Sequence, residues 1–284
     1  KIFTSYIAGE LRCMKSSTHK EEWTGTKLPD PGASQYGNFI NYYHFNPPEN
    51  RLHSFKSSNS EGVLKWVMEK STKQDFLVLD IGCNSGELTE GFAQILLNGT
   101  RTLESPKRIS VLGVDLDQSL IQSATDSRSF ADSCDLSVRY LKLDIMDSDA
   151  INTLQTFLRG FDHTCFDLTL CFSVTMWVHL NHGDEGLSQF LSNVAEVSEH
   201  VLIEPQPWKC YRNAQRRMIR NGLGGFFLYH SLKVRSNVDE WILSKLTSSP
   251  ISMNKLFRFE SSSWGRSMTM FSKKHSKIEL PWLI

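Results

Sequence analysis

Beyond residue 75 the chain alternates between short apolar runs and segments whose apolar residues recur every three or four positions. Residues 76–81 (FLVLDI) form a continuous apolar run, as a strand buried on both faces requires. Residues 85–97 place Leu88, Phe92, Ile95 and Leu96 along one helical face. The strand pattern returns at 109–114, 138–143, 166–172 and 200–203. The helical pattern returns at 118–128, 150–158 and 185–197. Repeats of strand then helix, each about 30 residues long, predict βαβ units, a mostly parallel sheet and helices on both faces. The fold class is therefore α/β.

The flanks read differently. Residues 62–70 predict a helix with Val63, Trp66 and Val67 on one face. Residues 36–45 are dense in aromatics, and Pro47-Pro48 stops any helix there. After Pro205 the alternation ends. Helices are expected at 212–220 and 239–246, and an antiparallel terminal pair of strands at 256–260 and 267–271. Residues 1–34 are polar and read as a flexible lead-in, 35–274 as one domain and 275–284 as a tail.

The 284 residues carry 31 Lys and Arg against 31 Asp and Glu, with 40% hydrophobic and 22% charged positions. That composition is too apolar for disorder, and the length suffices for a core without staples. Zero net charge argues against nucleic-acid binding by bulk charge. No apolar run approaches the ~20 residues of a membrane span, and the first residues do not resemble a secretory signal. Six cysteines without a CxxC pair fit buried thiols in a reducing compartment, the cytoplasm first and the nucleus second. A monomer is expected. Charge is nonetheless uneven. Residues 205–238 hold seven Lys and Arg and no acid, and Arg212, Arg216 and Arg220 fall on one helical stripe. Such a stripe suits an RNA backbone, and equally a solvated helix face.

In open α/β sheets ligands bind beyond the carboxyl ends of the strands. The first strand ends in Asp80-Ile-Gly82-Cys-Asn84-Ser-Gly86. Neither GxGxxG nor GxSxG fits, because Asn84 and Glu87 stand where those motifs need other residues. What remains, acidic-x-Gly-x-x-x-Gly, resembles motif I of class I S-adenosylmethionine (SAM)-dependent methyltransferases, with Gly82 allowing close approach of the backbone. Asp115, with Leu116 after it, ends the second strand, where a carboxylate can accept both ribose hydroxyls. Asp117 fits a helix N-cap better. Asp144 ends the third strand, where it can accept from an adenine amino group while the Ile145 N–H meets the ring. Phe172 and Ser173 end the fourth, on the methionine side.

Longer signatures follow. WVHLNHGDEG spans 177–186 and EPQPW spans 204–208, with Tyr36-Gly37-Asn38-Phe39, Tyr42-Tyr43 and Arg51-Leu52 ahead of the fold. Together these resemble the bicoid-interacting-three family of RNA 5′-phosphate methyltransferases over about residues 36–272, and within it the RNA 5′-monophosphate branch. The resemblance implies a class I, Rossmann-like methyltransferase fold. It also implies SAM as cofactor, Tyr42 and Arg51 folded over it, and Asn84, Asp115, Asp144, Ile145 and Phe172 in contact with it. The related methylphosphate capping enzymes, which act on a triphosphate end, carry a lysine where this chain has Met176. That departure favours a less charged acceptor.

The expected reaction is in-line methyl transfer from sulfonium to a phosphate oxygen of a small RNA, of the tRNA or microRNA-precursor class. A terminal monophosphate already carries close to two negative charges at neutral pH. Catalysis then rests on alignment and on donors that hold the phosphate. His179, Asn181 and Lys209 are the candidate catalytic donors, and Tyr211, Arg212, Arg216 and Arg220 the candidate RNA contacts. His179 reads equally well as a core histidine, and Trp177 and Trp208 as core aromatics or base-stacking platforms. No metal is expected, although His179, His182 and Asp184 fall close together. The alternatives are γ-phosphate capping of triphosphate RNA and a non-catalytic RNA-binding scaffold.

Overall fold

The computed structural model describes residues 32–128, 133–262 and 265–274. The expected lead-in at 1–34 and the tail at 275–284 fall almost wholly outside the described residues. The polypeptide enters through two short helical turns, α1 (Tyr42–Phe45) and α2 (Glu49–Leu52), with Pro47-Pro48 between them. The helix α3 (Ser58–Lys70) starts at Ser57, whose hydroxyl accepts the Ser60 N–H, an N-cap that satisfies an otherwise orphaned donor. Five strand–helix units follow: β1 (Asp75–Ile81), α4 (Glu87–Thr100), β2 (Arg108–Asp115), α5 (Gln118–Asp126), β3 (Leu136–Lys142), α6 (Ala150–Arg159), β4 (Phe166–Phe172), α7 (Thr175–Glu196), β5 (Ser198–Glu204) and α8 (Trp208–Arg220). The chain closes with α9 (Val238–Thr247), β6 (Asn254–Arg258) and β7 (Thr269–Ser272).

The sheet order is β3-β2-β1-β4-β5-β7-β6. Strands β1 to β5 pair in parallel, while β7 runs antiparallel to both β5 and β6. The parallel sheet with an antiparallel C-terminal pair is thus as the pattern predicts. Alternation along β1 divides the core. Leu77, Leu79 and Ile81 join the face covered by α6, α7, α8 and α9, whereas Phe76 and Val78 join the face covered by α3 and α4. Each such fully buried side chain contributes about 1.5–3 kcal/mol. No helix among the described residues is long and apolar enough to cross a membrane.

Helices α3 and α8 each begin four residues before their expected starts, and α7 departs furthest. Helix α7 begins ten residues before the expected start at 185, so that the 177–186 motif is itself largely helical. Gly183 breaks the run at φ 72° and ψ −174°, a conformation that glycine adopts without steric cost. The break interrupts the periodicity that would have revealed the first half.

Candidate active site at the carboxyl ends of the strands

The strand order reverses between β1 and β4, which opens a crevice at their carboxyl ends. A cavity fills that crevice. All nine residues expected to touch the cofactor line it: Tyr42, Arg51, Gly82, Asn84, Asp115, Leu116, Asp144, Ile145 and Phe172. The β1 loop is locally constrained. Gly82 has φ +76°, and a Cβ there would stand 2.6 Å from Val174. Asn84 sits at φ 51°, a region its short polar side chain tolerates. Asp115 accepts the Asn84 N–H through Oδ2 at 3.1 Å and the Asp117 N–H through Oδ1 at 3.0 Å, and each oxygen keeps a lone pair for a ligand. Burial raises the Asp115 pKa against the pull of those N–H donors. Asp117 caps α5 by accepting the Ser119 N–H, as expected, and also accepts from Asn38 Nδ2 at 2.6 Å. Asp80, also in the wall, is pushed up to about 6 by burial, against the hydrogen bond it accepts from Thr89.

Residues 35–51 cover the crevice. Gln35 and Asn181 bond reciprocally, Asn84 Nδ2 donates to the Phe39 carbonyl at 3.2 Å, and Phe39 meets Trp177 edge-on. Arg51, 1% exposed, donates through Nε and Nη2 to Glu204 Oε2 at 3.0 and 2.8 Å. Its Nη2 also reaches Tyr42 Oη and Ser173 Oγ. Burial alone would lower the Arg51 pKa, but Tyr42 and Glu204 more than reverse that.

A second pocket shares Tyr42, Ser173 and Trp177 with the first. Met176 lines it, as do Arg217 from α8 and Arg266 from the β6–β7 connection. Arg266 donates to Ser173 Oγ at 2.7 Å and to Cys210 Sγ at 3.4 Å.

The expected catalytic donors lie elsewhere. His179 is fully buried, with Nδ1 3.1 Å from Tyr211 Oη and Nε2 2.9 Å from Asp184 Oδ1. It is the core histidine of the two readings, and burial lowers its pKa against the opposing pull of Asp184. Asp184 is re-aimed by the Gly183 break and also accepts the Lys233 and Val234 N–H groups. Asn181 positions Gln35 rather than lining either pocket, and Lys209 is exposed and lines neither. Tyr211, expected to touch RNA, is buried and stacks on Trp208. Trp208 is itself stacked on Tyr229. Arg212, Arg216 and Arg220 are exposed on α8, as the stripe predicts.

Sequence reasoning missed Arg217 and Arg266. Arg217 sits beside the stripe of Arg212, Arg216 and Arg220, and one residue is about 100° of helical rotation, enough to turn it inward. Arg266 follows an irregular connection with no local signal. Glu204, the last residue of β5, positions Arg51.

Comparison with known proteins now decides the family. The family described as Bicoid-interacting protein 3 (Bin3) matches residues 166–273. The pre-miRNA 5′-monophosphate methyltransferase of Xenopus laevis is 41% identical over 245 residues, which cover 85% of this chain and 93% of that protein. The protein of the same name from Danio rerio is 41% identical over 260 residues, 90% and 99% of the two chains. The RNA 5′-monophosphate methyltransferase of Homo sapiens is 34% identical over 268 residues, 93% and 88%. The chain belongs to the Bin3 family. A crystal structure of WbdD is similar at a TM-score of 0.50 and 17% identity, covering 89% of this chain and 46% of that one, a likeness of fold alone.

The Bin3-family cavity fits SAM. Three carboxylates, Asp80, Asp115 and Asp144, face a ligand that carries a sulfonium, an ammonium and a ribose diol. Arg51, the one arginine in the wall among the described residues, is already matched by Glu204. Ile145, Leu116 and Phe172 supply the apolar surface an adenine and a thioether chain need. Among the described residues no group of His, Cys, Asp and Glu is placed to hold a metal ion.

Proposed function

We propose that this protein transfers a methyl group from SAM to the 5′-monophosphate of a small structured RNA. The single observation that carries the reading is the union of two pockets through Tyr42, Ser173 and Trp177, one walled by carboxylates and the other by arginines. The first suits a cationic donor and the second an anionic acceptor. SAM supplies an electrophilic methyl on a positively charged sulfur. Asp115 and Asp144 hold its polar ends, and the segment 35–51 keeps water from the reacting atoms. Because the acceptor is already ionised, the chain need supply no general base, which agrees with the burial of His179. The exposed stripe Arg212, Arg216 and Arg220 lies on the same helix as Arg217, so an RNA bound along α8 brings its end toward the pocket.

The precursor-microRNA names of the Xenopus and Danio relatives support that substrate class. Met176 lines the acceptor pocket, the position where the capping relatives carry lysine, which favours a monophosphate over a triphosphate. A cytoplasmic monomer is part of the same proposal. The test is one RNA prepared with a 5′-hydroxyl, a monophosphate or a triphosphate and offered with labelled SAM. Label is expected on the monophosphate RNA. Equal label on all three, or label on the hydroxyl form, overturns the reading.

A further inference from the structure

We propose that Arg217 and Arg266 together seat the acceptor phosphate, and that their paired charge matches the dianion of a terminal monophosphate. This inference rests on the methyltransferase reading and adds the residues that hold the acceptor.

The two arginines reach one pocket from distant parts of the chain, Arg217 from α8 and Arg266 from the β6–β7 connection. Neither is paired with a carboxylate among the described residues. Arg266 is half-buried against a hydroxyl and a thiol, Ser173 Oγ at 2.7 Å and Cys210 Sγ at 3.4 Å. The Arg217 guanidinium lies 5.6 Å from the centre of the Phe39 ring, and burial lowers its pKa. A guanidinium taken partly out of water without a counter-charge is costly, and an anion repays that cost.

The local charge balance gives the match. Glu204, which also accepts the Ser173 hydroxyl at 2.7 Å, is neutralised by Arg51. What faces the pocket is therefore two unmatched positive charges. A phosphate monoester near neutral pH carries about −1.5 to −2. Two guanidinium forks can hold two of its three terminal oxygens, leaving the third to attack the methyl carbon. As the O–C bond forms the C–S bond breaks, its electron pair stays on sulfur, and the methyl phosphate keeps one negative charge. A triphosphate end would bring about twice the charge and two further phosphoryl groups to the same two cations.

Ser173 makes the arrangement specific to this junction. It leaves β4 at φ 59°, and its hydroxyl accepts from both Arg51 and Arg266. The group that covers the cofactor cavity and the group that seats the acceptor are thus anchored on one oxygen at the wall between the two pockets.

The test uses the full chain with Arg217→Gln and Arg266→Gln, separately, and Arg266→Lys. Calorimetric SAM affinity, unchanged from the parent protein, establishes that each variant is folded at the cofactor cavity. Steady-state methyl transfer to 5′-monophosphate RNA is expected to fall by about ten- to a hundredfold in kcat/KM for each glutamine variant, the cost of a charged hydrogen bond. Arg266→Lys, which keeps the charge and loses the fork, should fall between Gln and the parent. In competition binding, the parent protein's preference for monophosphate over 5′-hydroxyl RNA should collapse in the glutamine variants. Variants that bind SAM normally and keep parental kcat/KM, or keep the full end preference, overturn the phosphate seat. A parent protein that methylates no monophosphate RNA instead overturns the reading beneath it.

Discussion

Arg51 Nη2 and Glu204 Oε2 lie 2.8 Å apart in the core, joining the segment that covers the cofactor cavity to the end of β5 across 153 positions of sequence. Removing one member leaves the other charged and buried, at a cost of about 3–5 kcal/mol, whereas replacing both by apolar groups is often neutral. Arg51→Leu should therefore destabilise the protein strongly, and Arg51→Leu with Glu204→Leu should restore much of the loss in chemical denaturation. SAM affinity should stay low in both, because Tyr42 loses the donor that positions it, whereas Ser173 keeps Arg266. Recovery of affinity in the double variant would count against this role.

Asp80 gives a pH dependence with a definite sign. Its folded-state pKa is about 6, above the unfolded value, because burial disfavours the charged form. The folded state therefore holds the proton more tightly, and stability from this group is lost as pH rises from about 4 through 6. Binding of a cationic ligand runs the other way and should weaken as pH falls through 6. Calorimetry with SAM alone, between pH 5 and 8, isolates this effect from titration of the RNA phosphate. Asp80→Asn should flatten the slope, leaving only the part that Asp115 contributes.

His179 is expected to behave as a structural residue. Burial depresses its pKa, so stability is lost as pH falls through the ordinary histidine range, where the unfolded chain takes up the proton more readily. His179→Asn should cost about 1–3 kcal/mol of stability through the hydrogen bonds to Tyr211 and Asp184. The turnover of the folded fraction should change only a few-fold, and the pH–rate profile should keep its shape. A lost ionisation in that profile would restore a catalytic role.

The α8 stripe should act through charge alone. Arg212→Glu with Arg216→Glu should weaken RNA binding and flatten its salt dependence, by about 0.7 in the log–log slope for each lost contact with a single strand. SAM affinity should not move, since neither residue lines the cofactor cavity. A filter-binding salt titration on the parent and the variant reads both quantities.

Local signals in the sequence carried most of the cofactor half of the site. Asp80, Gly82, Asn84, Asp115 and Asp144 stand at or just beyond the carboxyl ends of strands, and parallel pairing brings strand ends to one edge whatever the side chains do. All of them duly meet in one cavity. The acceptor half was legible only in part. The outward stripe of α8 could be read from spacing, but Arg217 next to it turns inward, and Arg266 arrives from an irregular connection. His179, Asn181 and Tyr211 have the right functional groups for phosphate, yet packing commits each to another partner.

The sequence by itself determined the order and type of the core elements, because apolar periodicity and strand-end glycines and carboxylates are properties of contiguous residues. Which polar side chains face the reaction was decided only by the tertiary structure. A buried polar group must find a partner, and for Arg51, His179 and Asp184 that partner comes from another element or from beyond the Gly183 break. The two arginines that found no such carboxylate among the described residues are the ones left facing the acceptor pocket.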